Sequence, residues 1–390
     1  MTYKIAIVGA GPAGCMAACH LDEDFEITLF DKNSPLKTLL PTGGGKCNLA
    51  HAEYDFKELA KYYPRGEKFL YSVLSKFGTA DTLDFFEKIG VTTYTREDNR
   101  IFPTSNSAQE VREKILNQLH HCKFQKEEVL SITKIENGFE IKTNKADYFF
   151  DAVIIATGGK SSYNFIKELQ HTVTKTYPAL VGLKTSPCYA NLQGVTVQNC
   201  TIISDKKDFI GNILFTNNGI TGPAVFELSS LNAQKPLPYK IRINFLNQEI
   251  DLQELFDKNP HKNICNLISE YIPKSLAETI LATNNINCEQ KCHTIKKDTK
   301  NNIYIILTSF EFTINGTRKD GETVTCGGVC LDEINSKTME SKKISGIFFC
   351  GEVLDIDGLC GGYNLQSCWS TGYVAAQGTN NYINNKSSDF

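Results

Sequence analysis

Short runs of apolar residues, several followed by a glycine-rich turn, mark both ends of the chain. They predict buried β-strands at residues 4–8, 26–30, 152–155 and 346–350. Apolar residues at helical spacing after the first and last of these strands predict helices over residues 15–21 and 364–376. Strands that alternate with helices are typical of a parallel α/β sheet.

The pattern changes in the middle of the chain. Residues 183–247 alternate apolar and polar positions in short runs, which predicts a small β-barrel or sandwich. Apolar positions follow helical spacing in residues 251–284, residues 296–302 are polar and predict a loop, and "YIILTSFEFTING" predicts a strand. We therefore predict three parts: an α/β domain, a barrel-like insert and a helical insert, at residues 1–183 and 340–390, 184–250 and 303–339, and 251–302.

Residues 63–119 are interpreted as mainly helical scaffold of the first domain. Ser107 and Glu110 have the spacing of a capping box. Val111, Ile115 and Leu119 then share one helical face, which is typical of a helix that packs on a core.

Composition narrows the class of protein. The 390 residues carry a formal net charge of −3, and 41% of them are hydrophobic. This composition is typical of a folded globular protein. The absence of a long Lys/Arg run gives no support for a surface that neutralises the many phosphates of a nucleic acid. No apolar run has the length of a membrane span. We expect a cytoplasmic protein with a small-molecule substrate and neither nucleic acid nor a membrane as partner; the sequence leaves the oligomeric state open.

Fourteen cysteines are scattered through the chain. Because no signal sequence is evident, we expect reduced thiols rather than a disulfide framework. Cys288 with Cys292 and Cys326 with Cys330 could together bind zinc, but their spacing is wider than in common zinc knuckles. Free thiols are the favoured interpretation, and we expect no metal.

The first strand is followed at once by the glycine-rich turn "GAGPAG". In a G-x-G-x-x-G turn, the first glycine allows the tight bend, the second admits a pyrophosphate and the third lets the helix pack on the strand. The second strand ends on Asp31, whose carboxylate can accept hydrogen bonds from ribose hydroxyls and would repel a 2′-phosphate. The pattern predicts a site for FAD or NAD rather than NADP, formed by Gly9, Gly11, Pro12, Ala13, Gly14 and Asp31.

A second glycine cluster, "LPTGGGKCNL", follows soon after. A P-loop with this lysine would need a glycine at position 40 and a hydroxyl at position 47, where the chain has Leu40 and Cys47. The spacing therefore argues against a nucleoside triphosphate. Close approach of another ligand to the backbone is the better explanation for three consecutive glycines.

Further small-residue turns follow the other strands of the first domain. Ala156, Thr157 and Gly158 follow the third strand, and Glu352 and a pair of glycines follow the last. Each alone is an ordinary turn. Together they indicate one site assembled from distant segments.

Several segments carry a resemblance to a known family. They are "GAGPAG", "GGGKCN", "ATGGKS", "LFTNNGITGPA", "TCGGVCLDEINSKTMESK" and "GEVLDIDGLCGGYN". Over essentially its whole length the chain resembles bacterial FAD-binding oxidoreductases of the aminoacetone oxidase family, also called BaiN/YhiN-like proteins. The resemblance implies a Rossmann-like FAD-binding domain of the GR2 type, interrupted by a β-barrel-like insert that carries a small helical insert.

The resemblance also implies roles for single residues. The first glycine turn would hold the FAD pyrophosphate, Asp31 the adenosine ribose, and Glu352 the ribityl chain. Residues along the pyrophosphate and flavin would be Gly44, Gly45, Lys46, Cys47 and Asn48, with Thr157 and Gly158 lining the dinucleotide. The pyrimidine end of the isoalloxazine would face Gly362, Tyr363, Asn364 and Leu365. We also expect cofactor contacts from Lys32, Val129, Ala156 and Gly351.

No catalytic acid or base can be assigned from the sequence. Cys47, Lys46 and Tyr363 are candidates because they are expected to lie near the flavin. Lys46 stands where the resembled family is associated with arginine, which would replace a bidentate phosphate contact by a point charge. The C-x-x-C of disulfide reductases is missing, so we do not expect dithiol exchange at Cys47. Packing of this small residue against the flavin is favoured over acid or charge-transfer chemistry.

These observations predict an FAD-dependent oxidoreductase that transfers a hydride between flavin and a small organic substrate. Reduction of an enone or related carbonyl compound, with NAD(P)H as transient reductant, is favoured. The alternatives are an amine oxidase that uses O₂, or a flavin-binding protein with a structural or sensing role and a macromolecular partner. An NAD-only dehydrogenase is disfavoured because no constellation of residues for its hydride chemistry is evident.

Overall fold

The computed structural model describes residues 2–160, 163–246, 250–318 and 324–388. Its strands are β1 (Lys4–Val8), β2 (Glu26–Phe30), β3 (Ala50–His51), β4 (Thr93–Thr95), β5 (Arg100–Pro103), β6 (Lys123–Gln125), β7 (Val129–Ile135), β8 (Gly138–Thr143), β9 (Asp147–Phe150), β10 (Ala152–Ile155), β11 (Tyr177–Ala179), β12 (Leu183–Ser186), β13 (Thr196–Ser204), β14 (Lys207–Thr216), β15 (Gly219–Thr221), β16 (Tyr239–Asn244), β17 (Phe310–Thr317), β18 (Val324–Cys326) and β19 (Ile347–Phe349).

The α-helices are α1 (Pro12–Ala18), α2 (Phe56–Ala60), α3 (Glu67–Leu74), α4 (Thr79–Lys88), α5 (Ala108–Leu116), α6 (Asn164–Glu168), α7 (Pro223–Leu231), α8 (Leu252–Lys258), α9 (Ile264–Ile268), α10 (Lys274–Thr283), α11 (Lys297–Thr308) and α12 (Tyr363–Ser388). Short 3-10 turns lie at Lys37–Leu39, Thr42–Gly45, Asn117–Leu119, Ala190–Leu192, Cys292–Thr294, Leu331–Glu333 and Gly351–Val353.

A parallel five-stranded sheet, in the order β19-β10-β1-β2-β6, forms the centre of the first unit. Its middle strand, β1, is apolar and completely buried at Ile5, Ala6 and Ile7, because a parallel sheet is covered on both faces. Parallel strands place their carboxyl ends at one edge, so the turns after β1, β2, β10 and β19 meet there. The predicted α/β, Rossmann-like fold class is confirmed.

The first and last helices pack closely against each other. α1 begins at Pro12 rather than at residue 15, and α12 continues to Ser388 rather than ending at residue 376. A Cβ atom added to Gly372 of α12 would lie 2.5 Å from the carbonyl oxygen of Ala13. Only a glycine at this position permits such close approach, which holds the end of the chain beside its beginning.

Two small antiparallel sheets complete the first unit. One contains β7, β8 and β9 in sequence, and the other has the order β3-β5-β4. The interpretation of residues 63–119 as mainly helical is correct for α3, α4 and α5 but misses β4 and β5. β4 is short and mostly exposed, and β5 is buried but only four residues long, so neither has the longer apolar or alternating run by which a strand is recognised.

The second unit contains a closed barrel of six strands in the order β12-β15-β14-β13-β16-β17. Four helices, α8 to α11, lie between β16 and β17 in the chain. The predicted polar loop is wrong from Lys297 onward and the predicted strand is wrong over residues 304–308, because these residues belong to α11, while the later part of that strand is β17. Its buried residues, Ile303, Ile306 and Leu307, have helical spacing, and β17 starts only at Phe310.

The chain divides into a unit of residues 1–177 and 324–390 and a unit of residues 178–323. Residues 178–183 therefore lie in the second unit and residues 324–339 in the first, unlike in the boundaries predicted from the sequence. Among the helices in the described ranges, none combines the length and apolar character that crossing a membrane requires.

Gly14 should be required by the fold itself. A Cβ atom at this position would lie 2.0 Å from the carbonyl oxygen of Gly9. We expect Gly14→Ala to lower the free energy of unfolding of the ligand-free protein by about 2 kcal/mol, measured by urea denaturation. Gly316→Ala is the matched control, because a Cβ there meets only the Lys184 side chain, at 3.9 Å. Equal stability of the two variants would contradict the packing described for α1.

Candidate functional site

The turn between β1 and α1 contains one glycine that the protein itself does not require. Gly9 has a φ of +109° and no room for a side chain, since a Cβ would lie 2.3 Å from the carbonyl oxygen of Ala156. Gly11 has an ordinary φ of −80°. Among the described residues, the nearest atom to a Cβ on Gly11 would be Oγ1 of Thr38, at 3.7 Å. The open side of Gly11 is thus free for a ligand to approach the backbone.

A cavity of about 240 Å³ lies in front of this turn. It reaches from the end of β2, at Asp31, to Glu352 and Cys368. Thr157 also lines it, and its Oγ1 is buried without a hydrogen-bond partner in the described part of the chain. A buried hydroxyl without a partner costs free energy, so this atom fits a polar group supplied by a ligand. The other lining residues include Gly11, Pro12, Ala13, Lys32, Lys37, Ala156, Gly158, Lys160 and Gly351.

A second cavity, of about 220 Å³, shares Asp31, Lys32 and Thr157 with the first. It is also lined by Val8, Gly9, Phe30, Glu127, Glu128, Val129, Leu130, Asn164 and Phe165. The two cavities together can hold a ligand that is extended past Asp31. An apolar and partly polar compartment of this kind suits an adenine ring.

The Asp31 carboxylate is fixed by two backbone groups. The N–H of Ala10 donates to its Oδ2 at 2.9 Å, and the N–H of Asn33 donates to its Oδ1 at 2.7 Å. Each carboxylate oxygen can accept further hydrogen bonds, so Asp31 stays available to ribose hydroxyls. The adjacent Glu127 is only 6% exposed and accepts a 2.6 Å hydrogen bond from Thr143 Oγ1.

The triple-glycine loop is a tight turn held by Cys47 and Asn48. Gly43 and Gly44 have φ values of +59° and +68°, and the N–H of Cys47 donates to the carbonyl of Thr42 at 2.9 Å. The side-chain amide of Asn48 is oriented so that its oxygen accepts a hydrogen bond from the N–H of Gly362 at 3.0 Å and its nitrogen donates one to the carbonyl oxygen of Ala50 at 3.1 Å. The Asn48 side chain therefore connects this loop to Gly362, in the last glycine motif.

The last motif leads into α12. Oε1 of Glu352 accepts a 2.7 Å hydrogen bond from the N–H of Thr325. The side chain of Asn364 accepts from the N–H of Gly358 and donates to its carbonyl, both at 2.8 Å. Because its side chain is used in this way, Asn364 can offer a ligand only its backbone. Leu365 is half-buried and packs against the core.

The three candidate catalytic residues have different environments. Lys46 is exposed. Cys47 is completely buried, and burial raises the pKa of its thiol to about 12, although the nearby Thr42 lowers it somewhat. Tyr363 is 3% exposed, and burial raises the pKa of its phenol far above the ordinary value. A thiolate at Cys47 is therefore disfavoured at neutral pH.

The structure thus brings most of the predicted residues to one edge of the first unit. The lining of the two cavities includes Gly9, Gly11, Pro12, Ala13, Asp31, Lys32, Val129, Ala156, Thr157, Gly158, Gly351 and Glu352. Gly14 contacts Gly9, and Asn48 joins its loop to Gly362. Gly44, Gly45 and Lys46 are exposed in the triple-glycine loop.

Sequence reasoning missed several residues that line the cavities, among them Lys37, Glu127, Lys160 and Cys368. Lys160 directly follows Gly158 and Gly159 in the turn after β10, and this position in the sequence could have indicated a ligand contact. The other three carry no local motif. Within the described ranges, no group of three or more His, Cys, Asp or Glu side chains is arranged to hold a metal ion.

Comparison with known proteins identifies relatives over the whole chain. The family model described as "HI0933-like protein Rossmann domain" matches residues 3–378. The chain is 29% identical to a 3-dehydro-bile acid delta(4,6)-reductase of Clostridium scindens, over 96% of this chain and 98% of that protein. It is also 29% identical to a ribosomal RNA dihydrouridine synthase of Escherichia coli, over 96% of this chain and 97% of that protein.

Solved structures support the fold. The FrdA subunit of Escherichia coli quinol fumarate reductase is 16% identical with a TM-score of 0.51, over 99% of this chain and 71% of that chain. A 3-ketosteroid-Δ4-(5α)-dehydrogenase of Rhodococcus jostii is 11% identical with a TM-score of 0.50, over 97% of each chain. At these identities the likeness concerns the fold alone.

Gly11 should be required by the cofactor and not by the fold. We expect Gly11→Leu to leave the stability of the flavin-free protein within about 0.5 kcal/mol of wild type and to abolish loading with FAD. The measurements are urea denaturation and the ratio of visible to protein absorbance. Gly316→Leu, at a similarly open glycine, is the control and should load normally. A fully yellow Gly11→Leu protein would contradict the assignment of this turn.

Cys47 should stay protonated at neutral pH, since burial raises the pKa of its thiol to about 12. We expect flavin-loaded wild-type protein and Cys47→Ala to have the same visible spectrum at pH 7, with no long-wavelength charge-transfer band. In an alkylation time course at pH 8, the exposed Cys188 should react long before Cys47. A charge-transfer band that disappears in Cys47→Ala would show that Cys47 is a thiolate.

Proposed function

The chain belongs to the HI0933-like family of FAD-binding Rossmann proteins, and from this premise we propose that it reduces a carbon–carbon double bond conjugated to a carbonyl group. The class of protein is an FAD-dependent oxidoreductase. The type of bond, the substrate and the electron donor are the proposed part.

The observation that carries the proposal is the chemistry shared by two relatives that match over the whole chain. One is named for reducing a 3-dehydro-bile acid at delta(4,6), where the double bonds are conjugated to the 3-oxo group. The other is named for making dihydrouridine, in which the uracil double bond beside a carbonyl has been reduced. The two substrates differ in size and polarity but share an enone-like bond. The sequence-based expectation of enone reduction agrees with this shared chemistry.

The residues of the site fit FAD. The open face of Gly11 would admit the pyrophosphate, and the buried Thr157 hydroxyl would gain a partner. Asp31, held by two backbone N–H groups, would accept hydrogen bonds from the ribose hydroxyls, and Glu352 would form hydrogen bonds with the ribityl chain. When bound there, FAD supplies the ability to accept and pass on a hydride.

The start of α12 has a role that depends on its backbone. The first N–H groups of a helix lack intrahelical partners and carry a positive partial charge. We propose that Tyr363 and Leu365 present these groups to the pyrimidine edge of the flavin, where they would favour negative charge. Asn48 and Asn364 fix the approach to the helix, since their side chains hold Gly362 and Gly358.

We propose NAD(P)H as the reductant. The sequence has one G-x-G-x-x-G turn, and its Gly11, Pro12 and Ala13 line the cavity that we propose for FAD. We therefore expect the nicotinamide coenzyme to bind transiently rather than at a second dinucleotide site of this type.

The uracil base of an RNA is a second candidate substrate. Relatives from Escherichia coli and Haemophilus influenzae carry the name ribosomal RNA dihydrouridine synthase, at 29% identity. These names are at odds with the expectation that nucleic acid is not a partner. The net charge of −3 does not favour strong contacts with many phosphates, so the RNA would be held chiefly through the base.

Anaerobic reduction of the flavin tests the proposal. We expect NADH or NADPH to bleach the visible absorbance of the purified, FAD-loaded protein. A 3-oxo-Δ4,6 steroid or a uridine-containing RNA should then restore the colour without oxygen, because the substrate accepts the hydride. A saturated 3-oxo steroid, which lacks the conjugated double bond, is the control and should leave the flavin bleached.

The other outcomes separate the alternatives. Bleaching by an amine and recovery only in air would contradict the proposal in favour of an O₂-dependent amine oxidase. Bleaching by neither coenzyme, with no effect of enones on dithionite-reduced protein, would contradict it in favour of a structural or sensing flavin.

A further inference from the structure

Three aromatic rings, those of His51, Tyr62 and Tyr363, form a group that we call the ring cluster. Tyr62 lies almost parallel to Tyr363, with ring centroids 4.6 Å apart and an interplanar angle of 10°. His51 also stacks on Tyr363, at 4.7 Å and 28°, and lies 5.8 Å from Tyr62. Tyr363 is 3% exposed, whereas Tyr62 is 38% exposed. The buried ring is thus covered by two others, one of which also faces solvent.

The ring cluster is fixed to the turn that precedes α12. The N–H of Leu359 donates to the carbonyl of Tyr62 at 2.9 Å. The hydroxyl of Tyr63 donates to the carbonyl of Tyr363 at 2.7 Å. A Cβ on Gly361 would lie 2.6 Å from Cε2 of Tyr363, so the turn and the ring are in close contact. These contacts hold the ring cluster in one orientation.

The contact between His51 and Gly361 determines the tautomer of the imidazole. Nδ1 of His51 lies 3.1 Å from the carbonyl oxygen of Gly361, which can only accept a hydrogen bond. The proton is therefore on Nδ1, and Nε2 is an acceptor. Burial lowers the pKa of His51, and the bond to Gly361 offsets only part of this effect. The lowered pKa favours a neutral ring at neutral pH.

Arg100 adds hydrogen-bond donors on the same side. It is paired with His51 across β3 and β5, and directly paired residues of an antiparallel sheet project from the same face. Its Nη2 lies 3.9 Å from Sγ of Cys360, in the same turn, and its Nε lies 3.6 Å from Oδ2 of Asp98. The side chain is 29% exposed, and donors other than Nε can face a ligand. An acceptor on His51 and donors on Arg100 therefore project from one face of this small sheet, and the His51 ring lies 5.8 Å from the ring of Tyr62.

The ring cluster is connected to the proposed cofactor site through α12. The cavity that begins at Asp31 ends at Glu352 and Cys368. Cys368 is in the first turns of α12, and Tyr363 is the first residue of that helix. The three rings line neither of the two cavities, but through Tyr363 they are joined to the helix that reaches the Glu352 end of the site, so we infer that they lie beyond that end, away from Asp31.

Building on the proposed function, we propose that the ring cluster binds the substrate ring and selects a uracil-type ring over a hydrocarbon enone. Tyr62 offers a flat surface on which a conjugated ring can stack. A uracil presents an N–H between two carbonyl groups, which complements the acceptor on His51 and the donors on Arg100. A steroid enone lacks that N–H and would leave Nε2 of His51 unpaired. The ring could belong to a free nucleoside or to a uridine in RNA.

A comparison of two oligonucleotides tests this selection. Binding of a short single-stranded oligouridine to the FAD-loaded protein is measured by calorimetry, beside the same oligomer methylated at N3 of each uracil. We expect methylation to weaken binding to the wild type about tenfold, because it removes the donor to His51. In His51→Leu the two oligomers should differ less than about twofold, while His51→Gln, which keeps an acceptor, should retain discrimination.

Variants of Tyr62 test the stacking surface. Tyr62→Leu should weaken both oligomers about fivefold or more, and Tyr62→Phe should stay within about twofold of wild type. Tyr304→Leu is the matched control, since Tyr304 is 48% exposed and lies on α11, outside the ring cluster. Free uridine that competes at the same concentration of uracil would identify the nucleoside as the source, and competition only by the oligomer would identify RNA.

Several results would overturn the proposal. They are equal binding of the two oligomers by the wild type, discrimination that persists in His51→Leu, or binding of a 3-oxo-Δ4 steroid where neither oligomer binds. Because the assay measures binding, its failure is separate from failure of the proposed reaction, which is read from flavin bleaching and recovery. Bleaching by NAD(P)H should be unchanged in the control variant Tyr304→Leu.

Discussion

The site depends on the close packing of α1 against α12. At this contact the backbone of Ala13 occupies the space beside Gly372, so a side chain at position 372 would collide with it. Gly351 is held to the same helix, because its N–H donates to Thr371 Oγ1 at 2.9 Å, and a Cβ on it would lie 2.6 Å from Cβ of Ala13. The last motif of the chain is thus placed against the first nucleotide-binding turn. A long ligand can then contact both ends of the sequence at once.

Around this contact, some polar side chains form hydrogen bonds within the protein, whereas others are left available to a ligand. Asn48 and Asn364, both in glycine-rich motifs, have amides that bond backbone groups and so stabilise the loops. Thr157 has a buried hydroxyl that the described protein atoms leave without a partner, and Gly11 has an open face. Such a division explains why the motif residues fall into two classes, those that build the site and those that would contact FAD.

Sequence reasoning was most reliable where one short segment determines the structure. β1, β2 and β10 have their predicted bounds, because each is a continuous apolar run that ends in a turn. It failed for α11, where a polar start at Lys297 concealed a helix whose apolar residues come only near its end. The role of Asn48 was not predictable either, since two of its three hydrogen bonds join it to Ile101 and Gly362, which lie far from it in the chain. Contacts of that kind are created by the tertiary fold.

The measurement that tests the central claim most directly is identification of the nucleotide released when the purified protein is denatured. The account predicts about one FAD per chain, recognised by chromatography, mass and its absorbance spectrum. Release of NAD, or of no dinucleotide from protein that has been supplied with FAD, would contradict the assignment of the site formed by the two ends of the chain.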